Sequence, residues 1–248
     1  QAALMLKAAK VQAGVTRPQR LLVVVAHPGD AEFGLAGTVA RWTGEGTIAQ
    51  LVCCSSGEGT GDDPAMDPLE LAARREREQR EAAAIVGYEG VTFLHRPDGA
   101  VANDLALREQ LVRVIRTVRP DTVATSDPSV FIHAWGAVNH VDHRETGAAT
   151  LDAVQPAAGN ALAFPGLMRS EDLRPHEVSR VLLFWSGQPT HAVDISDTLE
   201  TKVRAVQAQE SRRPHPGDLE QELRAWAARD GSEAGYTAGE AFVLVSLS

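Results

Sequence analysis

Residues 21–26 read Leu-Leu-Val-Val-Val-Ala, an unbroken apolar run that stops abruptly at His27-Pro28-Gly29-Asp30. A run with no polar alternation suits a strand covered on both faces, as in a parallel sheet. The polar and breaker residues that follow end the strand. The same grammar recurs along the chain. Residues 31–44 predict a helix with Phe33, Leu35, Val39 and Trp42 on its apolar side, and 47–54 the next strand. A Gly- and Asp-rich loop spans 55–68, and a helix spans 68–86 with Gly87 as its C-terminal cap. Further strands are expected at 91–94, 122–125, 181–185, 192–195 and 240–245. Further helices are expected at 104–118, 144–154, 199–209 and 219–229. Strands alternating with helices predict an α/β fold: one Rossmann-like domain over residues 1–248, with a mainly parallel sheet and helices on both faces. The Pro- and Gly-bearing stretch 155–175 reads as an irregular surface loop.

Composition narrows the function classes. The chain has 248 residues, 44% hydrophobic and 23% charged, enough for a large core without staples. Its formal net charge of −9 gives no general attraction to nucleic acid or to an anionic membrane, so neither is expected as a partner. Arg74, Arg75, Arg77 and Arg80 alternate with Glu76, Glu78 and Glu81, the pattern of a solvated helix face. Cys53 and Cys54 are adjacent within an apolar run and read as two buried thiols. No apolar run approaches bilayer length. Residues 1–14 read as a weakly amphipathic helix without signal-peptide character, and the cytoplasm is the default compartment.

In an open parallel sheet, ligands bind beyond the carboxyl ends of the strands. His27 and Asp30 directly follow the first strand, and the strand at 122–125 leads towards His133, His140 and His143. A metal held by histidine and carboxylate is the economical explanation for two such loops on one edge. Catalytic zinc takes three protein ligands and keeps a position for water. The candidate ligands are His27, Asp30 and His143, and other divalent transition metals suit the same donors. Taken singly, each has a plainer account: a solvated histidine, a helix-capping aspartate, an idle histidine at a helix start. The pairing of the segments favours the metal. His133 and Trp135 are candidates for a pocket wall, as is His191, while 212–216 reads as an exposed turn. The glycines of Gly57-Glu58-Gly59-Thr60-Gly61 lack the Lys-Ser/Thr of a phosphate loop.

These residues resemble the LmbE-like or PIG-L-like zinc deacetylases over nearly the whole chain. The family's A-H-P-D-D signature, often followed by A-E-F-G, stands here as Ala26-His27-Pro28-Gly29-Asp30-Ala31-Glu32-Phe33-Gly34. Its H-x-D-H motif stands as His140-Val141-Asp142-His143, followed by Arg144-Glu145-Thr146-Gly147. Gly37-Thr38-Val39-Ala40, Ser56-Gly57-Glu58-Gly59, the Arg75–Glu78 helix, Pro97-Asp98-Gly99, and Val193-Asp194-Ile195-Ser196 with Lys202 and Glu240 follow in family order. The resemblance implies zinc on His27, Asp30 and His143. It implies that His140 stabilises the oxyanion and protonates the leaving amine, and that Asp142 orients His140 or His143. Arg75 and Asp98 would contact sugar hydroxyls. The expected activity is removal of an N-acyl group, typically acetyl, from an amino sugar or glycoconjugate, and the resemblance allows a homo-oligomer.

One position departs. Where the family has its general-base aspartate, this chain has Gly29. Loss of a general base typically costs about 10²–10⁴-fold in rate, whereas the metal ligands do not include it. Either turnover is impaired, or another carboxylate such as Glu32 or Asp142 serves, or the protein binds zinc and a sugar or amide without hydrolysing it. A smaller departure is Gln209, where the family often has histidine before Ser211.

Overall fold

The computed structural model describes residues 10–61, 63, 65–212 and 219–247. In chain order the elements are β1 (Gln12–Ala13), β2 (Arg20–Val25), α1 (Asp30–Gly44), β3 (Ile48–Cys53), α2 (Pro68–Val86), β4 (Gly90–Phe93) and α3 (Leu105–Val118). Then come β5 (Thr122–Ser126), α4 (Val141–Asp152), α5 (Pro165–Glu171), β6 (Arg180–Phe184), β7 (His191–Asp194), α6 (Leu199–Gln207), α7 (Leu219–Ser232) and β8 (Gly239–Ser246). The strands form one eight-stranded sheet in the order β1-β7-β8-β6-β5-β2-β3-β4. All described neighbours pair in parallel except β8, which runs antiparallel to β6 and β7. This is the α/β, mainly parallel architecture that the alternating elements require.

The apolar run of β2 behaves as a strand covered on both sides. Leu21, Val23 and Val25 pack with Leu35, Val39 and Trp42 of α1 and Ala82 and Val86 of α2. Leu22 and Val24 face the other way, against Leu107, Leu111 and Ile115 of α3 and Ala149 of α4. Truncating such a buried leucine typically costs about 2–5 kcal/mol. Cys53 and Cys54 are buried free thiols in these two layers, and burial pushes the Cys54 thiol up to about 12.

Several boundaries differ from those expected. Of the N-terminal helix, residues 1–9 lie outside the described residues, and Gln12–Ala13 instead pairs as a strand with β7. The fourth long helix starts at Val141, because the His140 side chain accepts the Asp142 N–H and caps it there. The stretch 155–175 contains α5, with Leu167 buried in the core. The expected turn at 212–216 lies mostly outside the described residues. Among the described residues, no helix is long and apolar enough to cross a membrane.

The sheet order fixes where a ligand belongs. From β2 the chain moves outward one way through β3 and β4, then returns to place β5 on β2's other side. The connections leaving β2 and β5 therefore diverge, opening a crevice at the carboxyl ends of the two strands. α4 is seated against this point by Gly147: a Cβ there would collide with the Ser126 carbonyl at the end of β5. Ser126 Oγ in turn donates to the His143 carbonyl (2.7 Å).

Candidate metal centre

His27 and Asp30 reach the crevice from the β2–α1 turn, and His140, Asp142 and His143 from the start of α4. The Asp30 carboxylate is tied back into its own turn: Oδ2 accepts the His27 N–H at 2.9 Å. The same oxygen lies 3.3 Å from His27 Nδ1 and 3.3 Å from His143 Nε2. One carboxylate oxygen and two ring nitrogens thus converge, with Asp30 only 1% exposed.

The protons on both rings can be assigned from their outer partners. Asn139 Nδ2 donates to the Val130 carbonyl (2.8 Å), which turns its Oδ1 towards His143 Nδ1 at 3.1 Å. Nδ1 must then carry the hydrogen, leaving a lone pair on Nε2. Nε2 is buried and has no hydrogen-bond partner. His27 Nε2 faces Asp142 Oδ2 and Asp98 Oδ1, each at 3.0 Å, so it carries the hydrogen and offers Nδ1 inward. With His27 neutral, two lone pairs and an anionic oxygen face one point, where either a proton on His27 Nδ1 or a metal ion relieves their repulsion. The donors therefore fit a divalent metal, by their chemistry and by the unpartnered Nε2 of His143.

The surrounding charge agrees. Burial alone would lower the His27 pKa, but Asp30, Asp142 and Asp98 outweigh it and raise it to about 11. Conversely, burial opposes ionisation of Asp98, yet His27, the Gly59 N–H and the Thr60 hydroxyl hold it down at about 2. Asp142 is also lowered against burial, by His27 and by the Gly99 and Val101 N–H groups (2.7 and 3.1 Å). A second donor grouping, His27, His140 and Asp142, is weaker. It would use the His27 and Asp142 atoms already bonded to each other, and His140 Nδ1 already accepts the Asp142 N–H (3.3 Å).

His140 is the half-exposed member of the cluster, its ring 5.1 Å from that of His27 and 5.6 Å from that of His143. Burial, then the His27 charge, lowers its pKa. Asp142 departs from its expected partners: its bond is to His27, it lies 3.9 Å from His140 Nδ1, and His143 is oriented by Asn139 instead. The Asp98 carboxylate is turned onto His27 and the Gly59–Thr60 loop, and its side chain is 2% exposed. Arg75 is buried rather than solvated, its Nη1 donating to the Gly57 carbonyl. Arg74 and Arg80 do form the expected i,i+4 pairs, with Glu78 and Glu76. His191 opens β7 and meets the Thr190 hydroxyl at 2.9 Å.

Gly29 caps α1 with φ +95° and ψ −24°, a left-handed conformation that favours glycine. Its N–H donates to Gln79 Oε1 at 2.7 Å. Gln79 Nε2 donates to Glu32 (2.9 Å), and Gln209 Nε2 reaches both Gln79 Oε1 (3.2 Å) and Glu32 (3.4 Å). Glu32 is fully buried in this network, and Asp142 is bonded to His27. Gln79 and Asn139 were not singled out from sequence. Gln79 could have been: it shares the stripe of Leu71, Arg75, Ala82 and Val86, the buried face of α2. For Asn139, next to a histidine motif in a loop, no pattern marks it.

Comparison with known proteins follows the same outline. The sequence model of the family described as GlcNAc-PI de-N-acetylase (PIG-L) matches residues 22–154, from β2 through α4. The diacetylchitobiose deacetylase of Thermococcus kodakarensis is 31% identical over 199 residues, covering 79% of this chain and 71% of that protein. The 1D-myo-inositol 2-acetamido-2-deoxy-alpha-D-glucopyranoside deacetylase of Rhodococcus erythropolis is 27% identical over 240 residues, covering 77% and 80%. Among solved structures, N,N'-diacetylchitobiose deacetylase from Pyrococcus horikoshii superposes with a TM-score of 0.85 at 26% identity, over 92% of this chain and 84% of that one.

Proposed function

Since the chain belongs to the PIG-L/LmbE-like N-acetylglucosaminyl deacetylase family, we propose that it is a zinc-dependent hydrolase removing an N-acetyl group from an amino sugar or glycoconjugate, at a rate limited by Gly29. The observation that carries this is the convergence of His27 Nδ1, Asp30 Oδ2 and His143 Nε2 on one point. These three residues would hold the ion, which when bound polarises the acyl carbonyl and acidifies a water molecule.

The chain's own groups do the rest. Asp98 and Asp142 fix His27 through Nε2, and Asn139 fixes His143 through Nδ1. His140 accepts the Asp142 N–H at Nδ1, so its Nε2 carries the proton that it presents to the oxyanion and then to the leaving amine. Arg75 and Asp98 hold the Gly57–Thr60 loop in place beside the site, which supports the role at the sugar that the resemblance implies for them. At Gly29 no side chain receives the proton of the attacking water. Solvent must take it, at a cost of about 10²–10⁴-fold. Residues 1–248 are read as one such catalytic domain. The unpaired thiols Cys53 and Cys54 are compatible with the cytoplasm.

Gly29 also favours a second reading, a zinc-bearing protein that binds a sugar amide without hydrolysing it. Metal analysis with an acetate-release assay on N-acetylglucosamine glycosides decides between them. The hydrolase releases acetate only with divalent metal, and His143→Ala abolishes both. Bound metal with no acetate released supports the binding protein, and absence of metal binding overturns both.

A further inference from the structure

Gly29 is the N-cap of α1 and brings no side chain to it. Its N–H is buried, and a buried N–H needs a partner. That partner comes from another helix: Gln79 of α2, 50 positions away, accepts it at Oε1 (2.7 Å). The bond also fixes which way the amide is turned. A backbone N–H can only donate, so Oε1 faces Gly29 and Nε2 points away, where it donates to Glu32 Oε1 at 2.9 Å. Gly29 and Glu32 flank Asp30, one just before it and one on the first turn of α1 after it. A single side chain therefore grips the chain on both sides of a candidate ligand.

The grip is closed from a third direction. Gln209, just after α6, reaches Gln79 Oε1 at 3.2 Å and Glu32 Oε2 at 3.4 Å through its Nε2. Gln79 and Glu32 are fully buried and Gln209 is nearly so. Gly29 and Gln209, the two positions that depart from the family's motifs, thus bond to one amide. Apolar side chains of the same shape could fill this space at little cost to stability. A directional network instead fixes a position. The position that needs fixing is the turn itself: glycine is the residue least able to hold one backbone conformation alone. Asp30 Oδ2, which leaves the chain directly after it, must stand 3.3 Å from both His27 Nδ1 and His143 Nε2.

Resting on the metal-dependent deacetylase reading above, we propose that Gln79 is a positioning residue of the metal centre: it holds the Gly29 turn and the first turn of α1, and through them keeps the Asp30 carboxylate opposite His143.

Zinc and cobalt(II) titrations of the full chain test this, since the same donors accept either ion and the visible spectrum of bound cobalt reports ligand geometry. Gln79→Met fills the space and removes both bonds. It is expected to weaken zinc binding about tenfold in chelator competition and to shift the cobalt spectrum. Leu111→Ala, a truncation in the opposite core layer, lowers the melting temperature and leaves the cobalt spectrum unmoved. Should Gln79→Met fail to fold, Gln79→Asn replaces it: an amide one methylene shorter cannot span Gly29 and Glu32, and the same shift is expected. Zinc affinity and cobalt spectrum unchanged at position 79, or changed equally by Leu111→Ala, overturn the positioning role and leave the metal reading intact. Wild type that takes up neither ion overturns the metal reading and the proposal with it. The expected shifts with no acetate released by zinc-loaded wild type uphold the positioning role while the hydrolase reading fails.

Discussion

Nε2 of His27 and Oδ2 of Asp142 lie 3.0 Å apart, joined across 115 positions of sequence. The bond ties the connection leaving β2 to the first turn of α4, and it fixes which nitrogen of His27 faces the metal position. Gly99 and Val101 hold the same carboxylate from behind, so its own orientation is also set.

Replacing that carboxylate while keeping its shape isolates this role. Asp142→Asn is expected to weaken zinc binding by about 10–100-fold, the usual cost of losing an outer partner of a ligating histidine. Competition with a chromophoric chelator measures it. An unchanged dissociation constant would mean that Asp142 does not orient His27.

Metal uptake should expel a proton. Without metal, the three carboxylates keep His27 protonated up to about 11, and a metal must displace the Nδ1 proton. Between the ordinary value of 6.5 and about 11, binding therefore releases about one proton, and affinity rises about tenfold per pH unit. The sign for the metal-free fold is opposite. Its folded-state pKa is raised, so the stability from protonated His27 is complete below 6.5 and is lost as pH rises through about 11. Calorimetric titration in buffers of different ionisation enthalpy counts the protons. A count near zero at pH 8 would contradict the charge assignment at His27.

Lys202 and Glu240 form a buried pair that fastens α6 to β8, with Lys202 also donating to the Phe33 carbonyl. Glu240 further accepts the Gly37 and Thr38 N–H groups at 3.1 and 2.7 Å. Lys202→Met leaves that carboxylate buried with only the amides, and should cost about 3–5 kcal/mol. In a chain of this size the melting temperature falls on the order of 10 °C. A loss under about 1 kcal/mol in denaturant titration would show that the pair is not stabilising the native state.

Much of this was legible in the sequence for local reasons. The apolar run of β2 announced a strand buried on both faces, and Gly87 marked a helix end that the structure shows as a cap. The candidate metal donors stood in two short motifs, and the sheet order brings those motifs to one crevice. What stayed hidden depends on pairing between distant elements. Asp98 and Asp142 both serve His27, a choice made by how three connections pack, not by any spacing. Arg75 read as solvated because its neighbours alternate in charge, yet helical geometry turns it inward with Leu71 and Gln79. Trp185 and Trp226, from β6's end and α7, share a cavity wall that no local pattern foretells.

Gly29 holds the central claim. Its φ of +95° means that an aspartate there is strained by about 1–3 kcal/mol, within what a fold of this size tolerates. The direct measurement is kcat for acetate release from N,N'-diacetylchitobiose by zinc-loaded wild type and Gly29→Asp, with zinc content determined for each. The expected result is equal zinc and a kcat about 10²–10⁴-fold higher in the variant. Equal zinc with equal kcat would contradict the claim that the absent carboxylate limits this site.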